Sequence, residues 1–315
     1  MTGFCLGLVG VASQGWAEDL FVVCQDASLV WRIDTRTNAI VESIRVDAGP
    51  ATIAASPDGE YLYVTHPDHG EITKLDAIHL SIHSTFPFDG EPFGVVADPN
   101  GRFVYIGDWN KGRVVRIDAE SGALRGDVAV GRKPAGLVLD QHDHRLYVAN
   151  RESNSVSVID TNGMRQIAEL TVGGAPFAMA LSPDEKLLVV ANVRSGDATI
   201  VDTARLIVLA RVRIGAAPYG AAVTNANDRA LISDQHKDTL SVIDLPSGRV
   251  SALIKIGRYP EAVLVGADRA YVANWFSGDL SVIDLSDYRE LTRIKLCDGP
   301  RGMVFGRRKA DVFGR

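Results

Sequence analysis

The chain has 315 residues, of which 46% are hydrophobic and 23% charged, as in an ordinary soluble globular protein. Its formal net charge of −6 argues against a nucleic acid or an anionic membrane surface as its partner. Its three cysteines form neither a Cys-x-x-Cys pair nor a Cys-x-x-Cys-His motif, which argues against a thioredoxin-like redox site and against covalent attachment of a c-type haem.

The first 17 residues differ in character from everything after them. Phe4 to Ala12 is an apolar run, and Gly15-Trp16-Ala17 follows as a small-x-small site of the kind that signal peptidase cleaves. The run is too short to span a bilayer, and the positive charge that usually precedes such a run is absent. We interpret residues 1–17 as a signal peptide, the alternative being a plain N-terminal tail, and expect a periplasmic or secreted protein without a membrane span.

A repeat of about 40 residues organises the chain from residue 18 to residue 306. Six steps separate the seven periodic prolines, five of 42 residues and a last one of 40. The prolines are Pro50, Pro92, Pro134, Pro176, Pro218, Pro260 and Pro300. An aspartate closes a hydrophobic run in the same register, at Asp34, Asp76, Asp118, Asp160, Asp202, Asp244 and Asp284. We interpret these aspartates as acceptors for backbone N–H groups of the following turns, not as catalysts.

Four strands are predicted in each repeat. Residues 20–24, 28–34 and 40–46 supply the second, third and fourth strands of the first unit. In a complete unit, residues 135–139, 145–150, 155–160 and 165–172 are β-type runs separated by polar turns. The missing first strand arrives at residues 301–305 and closes the ring. The sequence therefore predicts an all-β fold, a single seven-bladed β-propeller of four antiparallel strands per blade, with residues 307–315 as a polar tail.

Two segments of this chain resemble the YVTN-type seven-bladed β-propeller repeat family. They are Tyr147-Val148-Ala149-Asn150 and Tyr271-Val272-Ala273-Asn274, each followed by Ser-Val-Ile-Asp, at residues 157–160 and 281–284. The resemblance covers nearly all of the chain after residue 17 and implies the propeller fold. It implies no activity, because the signature residues of the family are structural. That family is itself similar to the propellers of methylamine dehydrogenase heavy chains and of d1-haem nitrite reductases, but no motif here connects the chain to either.

The residue after each periodic proline opens the innermost strand and should face the mouth of the central channel. This ring comprises Ala51, Phe93, Ala135, Phe177, Tyr219, Glu261 and Arg301. Glu261 and Arg301 fall on neighbouring blades and could form an ion pair, while a concave apolar surface with a few converging charges is typical of a binding site. The alternative is an ordinary ion pair with aromatic side chains that plug the channel.

The loops after the second strands should lie on the same face, and Trp109 and Trp275 are their most conspicuous residues. His66 opens the cluster His66-Pro67-Asp68-His69, which we interpret as exposed turn histidines without a metal, although His66 is kept as a binding candidate. The predicted ligand-binding residues are thus Arg301, Glu261, Tyr219, Phe93, Phe177, Trp109, Trp275 and His66. No catalytic residue, metal site or bound cofactor is predicted.

A disulfide between Cys24 and Cys297 follows from the repeat register. Cys24 ends the second strand of the first unit, and Cys297 lies in the turn before the innermost strand of the same unit. Because these strands are antiparallel, the two residues should meet on the loop-rich face, and an exported protein is in an oxidising compartment. Register fixes only approximate proximity, so two separate thiols are the alternative.

These observations favour an exported, non-catalytic propeller that binds a small molecule or a partner protein on its loop-rich face. An accessory protein of a periplasmic redox system, acting as a monomer, would fit this description. One alternative is a propeller enzyme, either a lactonase or lyase or an amine-dehydrogenase-like subunit, for which Glu261, Arg301 and Tyr219 would be the credible residues. A haem- or cofactor-handling protein, with His66 or His236 as ligand, is a third hypothesis.

Overall fold

The computed structural model describes residues 18–140, 142 and 144–308. Within these residues, 28 strands form seven four-stranded sheets, which are the seven blades. Blade 1 is composed of β28 (Pro300–Arg307), β1 (Glu18–Cys24), β2 (Leu29–Asp34) and β3 (Ala39–Arg45). The predicted signal peptide, residues 1–17, and the last part of the predicted tail, residues 309–315, lie outside the described residues.

The other six blades follow in chain order, each with its first strand innermost. Blade 2 has β4 (Ile53–Ala55), β5 (Tyr61–His66), β6 (Glu71–Asp76) and β7 (Ser81–Pro87), with a short 3₁₀ turn at Pro67–His69. Blade 3 has β8 (Pro92–Ala97), β9 (Phe103–Asp108), β10 (Arg113–Asp118) and β11 (Leu124–Ala129). Blade 4 has β12 (Pro134–Asp140), β13 (Arg145–Asn150), β14 (Ser155–Asp160) and β15 (Arg165–Thr171).

Blade 5 has β16 (Pro176–Leu181), β17 (Leu187–Asn192), β18 (Asp197–Asp202) and β19 (Ile207–Arg213). Blade 6 has β20 (Pro218–Val223), β21 (Arg229–Asp234), β22 (Thr239–Asp244) and β23 (Arg249–Lys255). Blade 7 has β24 (Pro260–Val265), β25 (Arg269–Asn274), β26 (Asp279–Asp284) and β27 (Glu290–Lys295). The all-β, seven-bladed architecture predicted from the repeat is confirmed. No helix in the described part of the chain is long and apolar enough to cross a membrane.

The periodic aspartates organise the turns as expected. Each accepts backbone N–H bonds from residues two or three positions later. Asp118 accepts from Glu120 and Ser121 at 3.2 and 3.0 Å, for example. The same bond is made by Asp34, Asp76, Asp160, Asp202, Asp244 and Asp284. Their repetition is therefore a property of turn chemistry.

The ring closes by antiparallel pairing of β1 with β28, in which Leu20 lies opposite Phe305. The closure extends further along the chain than the sequence indicated. The backbone N–H of Arg307 donates to Gly59 at 2.8 Å. The side chain of Arg308 is 7% exposed and forms ion pairs with Asp19 and Asp34 at 2.9 and 3.0 Å. Residues 307 and 308 thus belong to the propeller, and the predicted tail boundary at 307 is too early.

Packing between blades is mostly apolar. The second strand of each blade consists mainly of apolar residues and is buried along nearly its whole length. Three cations interrupt this pattern at equivalent positions of the third strands. The guanidinium of Arg32 lies 5.2 Å from the ring centre of Phe21. Lys74 Nζ lies 4.2 Å from the ring of Tyr61, and Arg116 donates to Thr161 O at 2.9 Å. Blades 4–7 carry Val158, Ile200, Val242 and Val282 there, so a cation at this position of the third strand is a feature of blades 1–3.

Candidate functional site

The innermost strands converge on the central channel. All seven residues that follow the periodic prolines line one cavity of about 240 Å³. Below this ring the strands carry small residues, because adjacent blades come very close together. A Cβ on Gly94 would lie 2.1 Å from Ala135 O, and one on Gly220 would lie 2.1 Å from Glu261 O. The cavity is therefore concave, and the side chains that differ between blades lie at its mouth.

The polar side of the mouth is centred on Arg301, whose side chain is 17% exposed. Arg301 Nη1 donates to Gln25 Oε1 at 2.6 Å, and Nη2 donates to the hydroxyl of Tyr219 at 3.0 Å. Nε lies 3.3 Å from Glu261 Oε2, so the predicted ion pair is present. Glu261 Oε1 accepts from Gln235 Nε2 at 3.0 Å. Blades 1, 6 and 7 thus contribute to one connected polar group.

Aromatic rings form the rest of the mouth. The Arg301 guanidinium lies 5.3 Å from the ring centre of Phe93 and 5.6 Å from that of Trp275. Phe93 contacts Trp109 and Phe177, with ring centres 4.8 and 5.8 Å apart. Phe177 in turn stacks on Tyr219 at 4.1 Å. These contacts place Arg301 against an almost continuous aromatic wall, and Lys133 Nζ lies 5.6 Å from the ring centre of Trp109.

Burial controls the protonation of this group. It raises the pKa of the Glu261 carboxyl to about 7, although Arg301 and the hydrogen bond from Gln235 act in the opposite direction. Burial alone would lower the pKa of Arg301, but Tyr219 and Glu261 more than offset that effect, so the guanidinium stays charged. Burial also raises the pKa of Tyr219, whose hydroxyl remains protonated. The mouth therefore combines a permanent cation with an acid that titrates near neutral pH.

Seven of the eight predicted binding residues meet at this mouth, and His66 does not. His66 ends β5 with no exposed surface, and its Nε2 lies 2.9 Å from Thr73 Oγ1. Its interpretation as an exposed turn residue is wrong, because it takes the position at which blades 3–7 bury Asn or Asp at the end of the second strand. Burial lowers the pKa of its imidazole. His69, in the same cluster, is the exposed turn histidine.

Gln25 and Gln235 were not predicted as site residues. Both open the loop after a second strand, in the register of Trp109 and Trp275, so the repeat marks this position as a second ring around the mouth. A glutamine in a surface loop is a weaker sequence signal of a binding site than a tryptophan. Its role here depends on Arg301 and Glu261 lying beside it, which the register of one blade does not show.

Cys24 and Cys297 are joined by a disulfide in the structure, with Cα atoms 6.2 Å apart. Cys24 lies opposite Pro300 in the pairing of β1 with β28. The neighbouring N–H of Gln25 donates to Gly299 O at 2.8 Å. The bond therefore joins the two ends of the ring within a few residues of Gln25 and Arg301, and it supports the polar side of the mouth.

A family model described as "Lactonase, 7-bladed beta-propeller" matches residues 125–205 of this chain. A comparison with curated proteins returns no match. The chain is similar in fold to Kuenenia stuttgartiensis hydrazine synthase, with a TM-score of 0.73 and 18% identity over 87% of this chain and 100% of that one. A functionally unknown protein from Desulfotomaculum acetoxidans DSM 771 has a TM-score of 0.78 and 14% identity, over 92% of this chain and 99% of that one. The dihydro-heme d1 dehydrogenase NirN in complex with DHE has a TM-score of 0.68 and 16% identity, over 88% of this chain and 63% of that one. At these identities, the similarity establishes the propeller fold alone.

Proposed function

We propose that this protein is an exported, non-catalytic propeller that binds a small anionic molecule at the mouth of its central channel. The observation that carries the proposal is the Arg301 guanidinium, which lies in a concave aromatic cavity and remains partly exposed there. Two of its hydrogen bonds go to neutral partners, Gln25 and Tyr219, and each terminal nitrogen retains a second N–H. A planar guanidinium suits carboxylate and phosphate groups.

The size of the cavity favours a small ligand. A volume of about 240 Å³ is below the range of about 300–1,000 Å³ that is typical of ligand pockets, and Phe93, Phe177 and Tyr219 occupy much of the mouth. NirN, to which the fold is similar, is described in complex with DHE. A ligand of that size would need these aromatic side chains to move, so the geometry favours a smaller molecule over a tetrapyrrole.

The cavity offers little for covalent chemistry. Among its lining residues, the hydroxyl groups are those of Thr52 and Tyr219. Thr52 Oγ1 is engaged as a donor to Phe93 O, and the raised pKa of Tyr219 makes it a poor nucleophile. Glu261 could transfer a proton, but no activated nucleophile faces it from the lining residues. Binding without turnover is therefore the simpler function.

The disulfide supports the proposal of an exported protein. Structural disulfides persist in oxidising compartments and are rare in the cytosol. The Cys24–Cys297 bond closes the propeller at its seam, and a periplasmic or secreted location would maintain it. Fractionation of the native host, followed by detection of the protein in each fraction, tests this part of the proposal; recovery from the cytosol alone would contradict it.

Ligand binding is tested with benzoate and acetate as probes, because both carry one carboxylate and they differ in their apolar body. Titration calorimetry of the wild-type protein should detect binding, with benzoate the tighter probe because it can stack in the aromatic wall. Arg301→Ala should weaken benzoate binding by about 10- to 100-fold, since a charge-assisted hydrogen bond contributes about 1.5–3 kcal/mol. Arg258→Ala, an exposed loop arginine on the same face, is the matched control. If the Arg301→Ala variant and the wild type bind benzoate with equal affinity, the binding site is not at the channel mouth.

A second candidate function, binding of a partner protein, is favoured by the charge distribution around the mouth. The loops around blades 1 and 2 form an acidic arc of Asp26, Asp47, Asp68, Asp89, Glu91 and Asp298. The loops around blades 4–6 form a basic arc of Arg132, Lys133, Arg151, Arg194, Lys237 and Arg258. Local ion pairs such as Lys111–Asp89 and Arg194–Glu152 reduce the difference in charge between the two arcs but do not reverse it.

Such a dipolar rim would orient a partner of complementary charge. Phe276, which is 61% exposed, lies on blade 7 between the two arcs and offers an apolar anchor. The test uses two variants, one with Asp26 and Asp298 changed to lysine and one with Lys237 and Arg258 changed to glutamate. A true partner recovered from the native host should be lost with both variants at low salt. If both variants still retain the partner, the charged rim is not its binding site.

A further inference from the structure

We infer that the channel mouth takes a monocarboxylate with a flat apolar body, and takes it together with one proton that resides on Glu261. This inference rests on the proposed function, because it concerns the same cavity. It goes beyond that function in naming the chemical class of the ligand and in making binding depend on the protonation of one protein side chain.

The first observation is an unsatisfied oxygen. The Glu261 side chain is only 5% exposed, and Glu261 is one of the residues that line the cavity. Oε1 accepts from Gln235, but Oε2 has no hydrogen-bond partner among the described residues. Arg301 Nε, at 3.3 Å, is close enough for ion pairing but does not point at it. A buried polar atom without a partner is costly, and a ligand group in the cavity could supply the missing hydrogen bond.

The second observation is the charge balance. With Glu261 ionised, its carboxylate neutralises Arg301 and repels an incoming anion. With Glu261 protonated, Arg301 is left as an uncompensated cation, and Oε2–H becomes a donor that can point at a ligand oxygen. A carboxylate that accepts from both Arg301 and Glu261 would satisfy each of them. The protonated mouth is therefore the state that matches an anion.

Within the part of the chain that the structure describes, Arg301 is the cation that acts on Glu261. The charged or titratable groups that act on the pair are Asp26, from the loop after β1, and the tyrosines Tyr219 on β20 and Tyr259 before β24. Asp26 opposes the ionisation of Glu261, and burial raises the pKa of Tyr219, which keeps its hydroxyl neutral. Burial places the pKa of Glu261 at about 7, so a proton is available at little cost in a neutral environment.

The same count of charges defines the ligand class. Arg301 is the one cationic side chain among the residues that line the cavity, so a dianion such as sulfate would retain an uncompensated charge. The wall of Phe93, Phe177, Tyr219 and Trp275 favours a flat apolar body next to the anionic group. A small aromatic or unsaturated acid has both properties. Binding is then written as carboxylate plus protein plus one proton from solvent, giving the protonated complex.

The experiment is calorimetric titration of the full protein with benzoate at about pH 6 and about pH 8.5. Affinity should fall by roughly 10- to 30-fold over this interval, because the free site must first take up a proton above its pKa of about 7. At the higher pH, two buffers of different ionisation enthalpy should report uptake of about one proton per benzoate bound. Glu261→Gln, which imitates the protonated acid, should bind with little dependence on pH. Asp268→Asn, at an exposed acid in the turn between β24 and β25, outside the mouth and its charged rim, should behave as wild type.

The outcomes separate this inference from the proposed function. If neither benzoate nor acetate binds at either pH, both are overturned. If benzoate binds equally well at both pH values, or if the Glu261→Gln variant keeps the full pH dependence, proton uptake at Glu261 is overturned while anion binding stands. If inorganic sulfate, a dianion at both pH values, binds as tightly as benzoate, the monocarboxylate class is wrong. Unfolding of Glu261→Gln in urea at about pH 6 verifies that the variant is folded.

Discussion

Removing the disulfide that closes the ring should destabilise the protein without changing its fold. The perturbation is Cys297→Ala, which leaves Cys24 as a buried thiol that behaves as a small apolar residue. The pairing of β1 with β28 remains, so the native ring stays closed by its backbone hydrogen bonds. The loss should therefore come mainly from the unfolded chain, which gains freedom when its two ends are no longer joined.

The sequence separation of 273 residues sets the magnitude. The chain-entropy relation gives about 5.6 kcal/mol for a loop of this length, and measured effects of native disulfides are commonly about 2–5 kcal/mol. We expect the free energy of unfolding to fall by about 2–5 kcal/mol, measured by urea titration followed by circular dichroism. Reductant should produce the same fall in the wild-type protein and no further change in the variant.

Two results would refute this reasoning. The first is an unfolding free energy of Cys297→Ala equal to that of the oxidised wild type. The second is peptide mapping under non-reducing conditions that finds Cys24 and Cys297 as separate thiols in protein purified from an oxidising compartment. Either result would mean that strand pairing alone closes the ring.

Three further predictions concern the acid at the mouth, the closing strand and the buried lysine. Glu261→Gln should be as stable as wild type at pH below about 4.5 and more stable by up to about 3 kcal/mol at pH 8.5. The reason is that the pKa of Glu261 is about 7 in the folded protein and 4.5 in the unfolded chain, so its ionisation destabilises the wild type as pH rises. A stability difference between variant and wild type that is the same at pH 5 and pH 8.5, measured by urea titration, would contradict this. Deleting residues 300–315 removes the innermost strand of blade 1, so the melting temperature should fall sharply, and an unchanged value would exclude closure by β28. Lys74→Met keeps the apolar stem against Tyr61 and removes an ion pair with the exposed Glu120, so thermal unfolding should shift little or upward; a loss as large as that of Lys74→Ala would show that the charge itself stabilises the blade boundary.

Much of the mouth was predictable because the repeat converts chain position into spatial position. Once the prolines established the period, the residues after them had to share one ring, and all seven line the cavity. The pairing of Glu261 with Arg301 followed because their repeats are adjacent. The position of the Cys24–Cys297 disulfide followed from the same register, since Cys24 lies opposite Pro300.

The burial and the polar partners of several other residues were not predictable in this way. Arg308 was assigned to a polar tail, yet it is buried against Asp19 and Asp34, which lie more than 270 residues earlier in the chain. His66 was read as exposed, yet the blade encloses it. Gln25 and Gln235 gain their roles only from Arg301 and Glu261 beside them.

The sequence by itself determined the number of blades, the strand order and the ring of residues at the channel mouth, because turn chemistry and strand alternation act over a few residues and recur with the period. The tertiary structure decided which polar groups are buried and which of them meet. The pKa of Glu261 is raised because several blades together exclude water from its carboxyl. Burial of that kind belongs to no single repeat, so a local pattern in the sequence does not encode it.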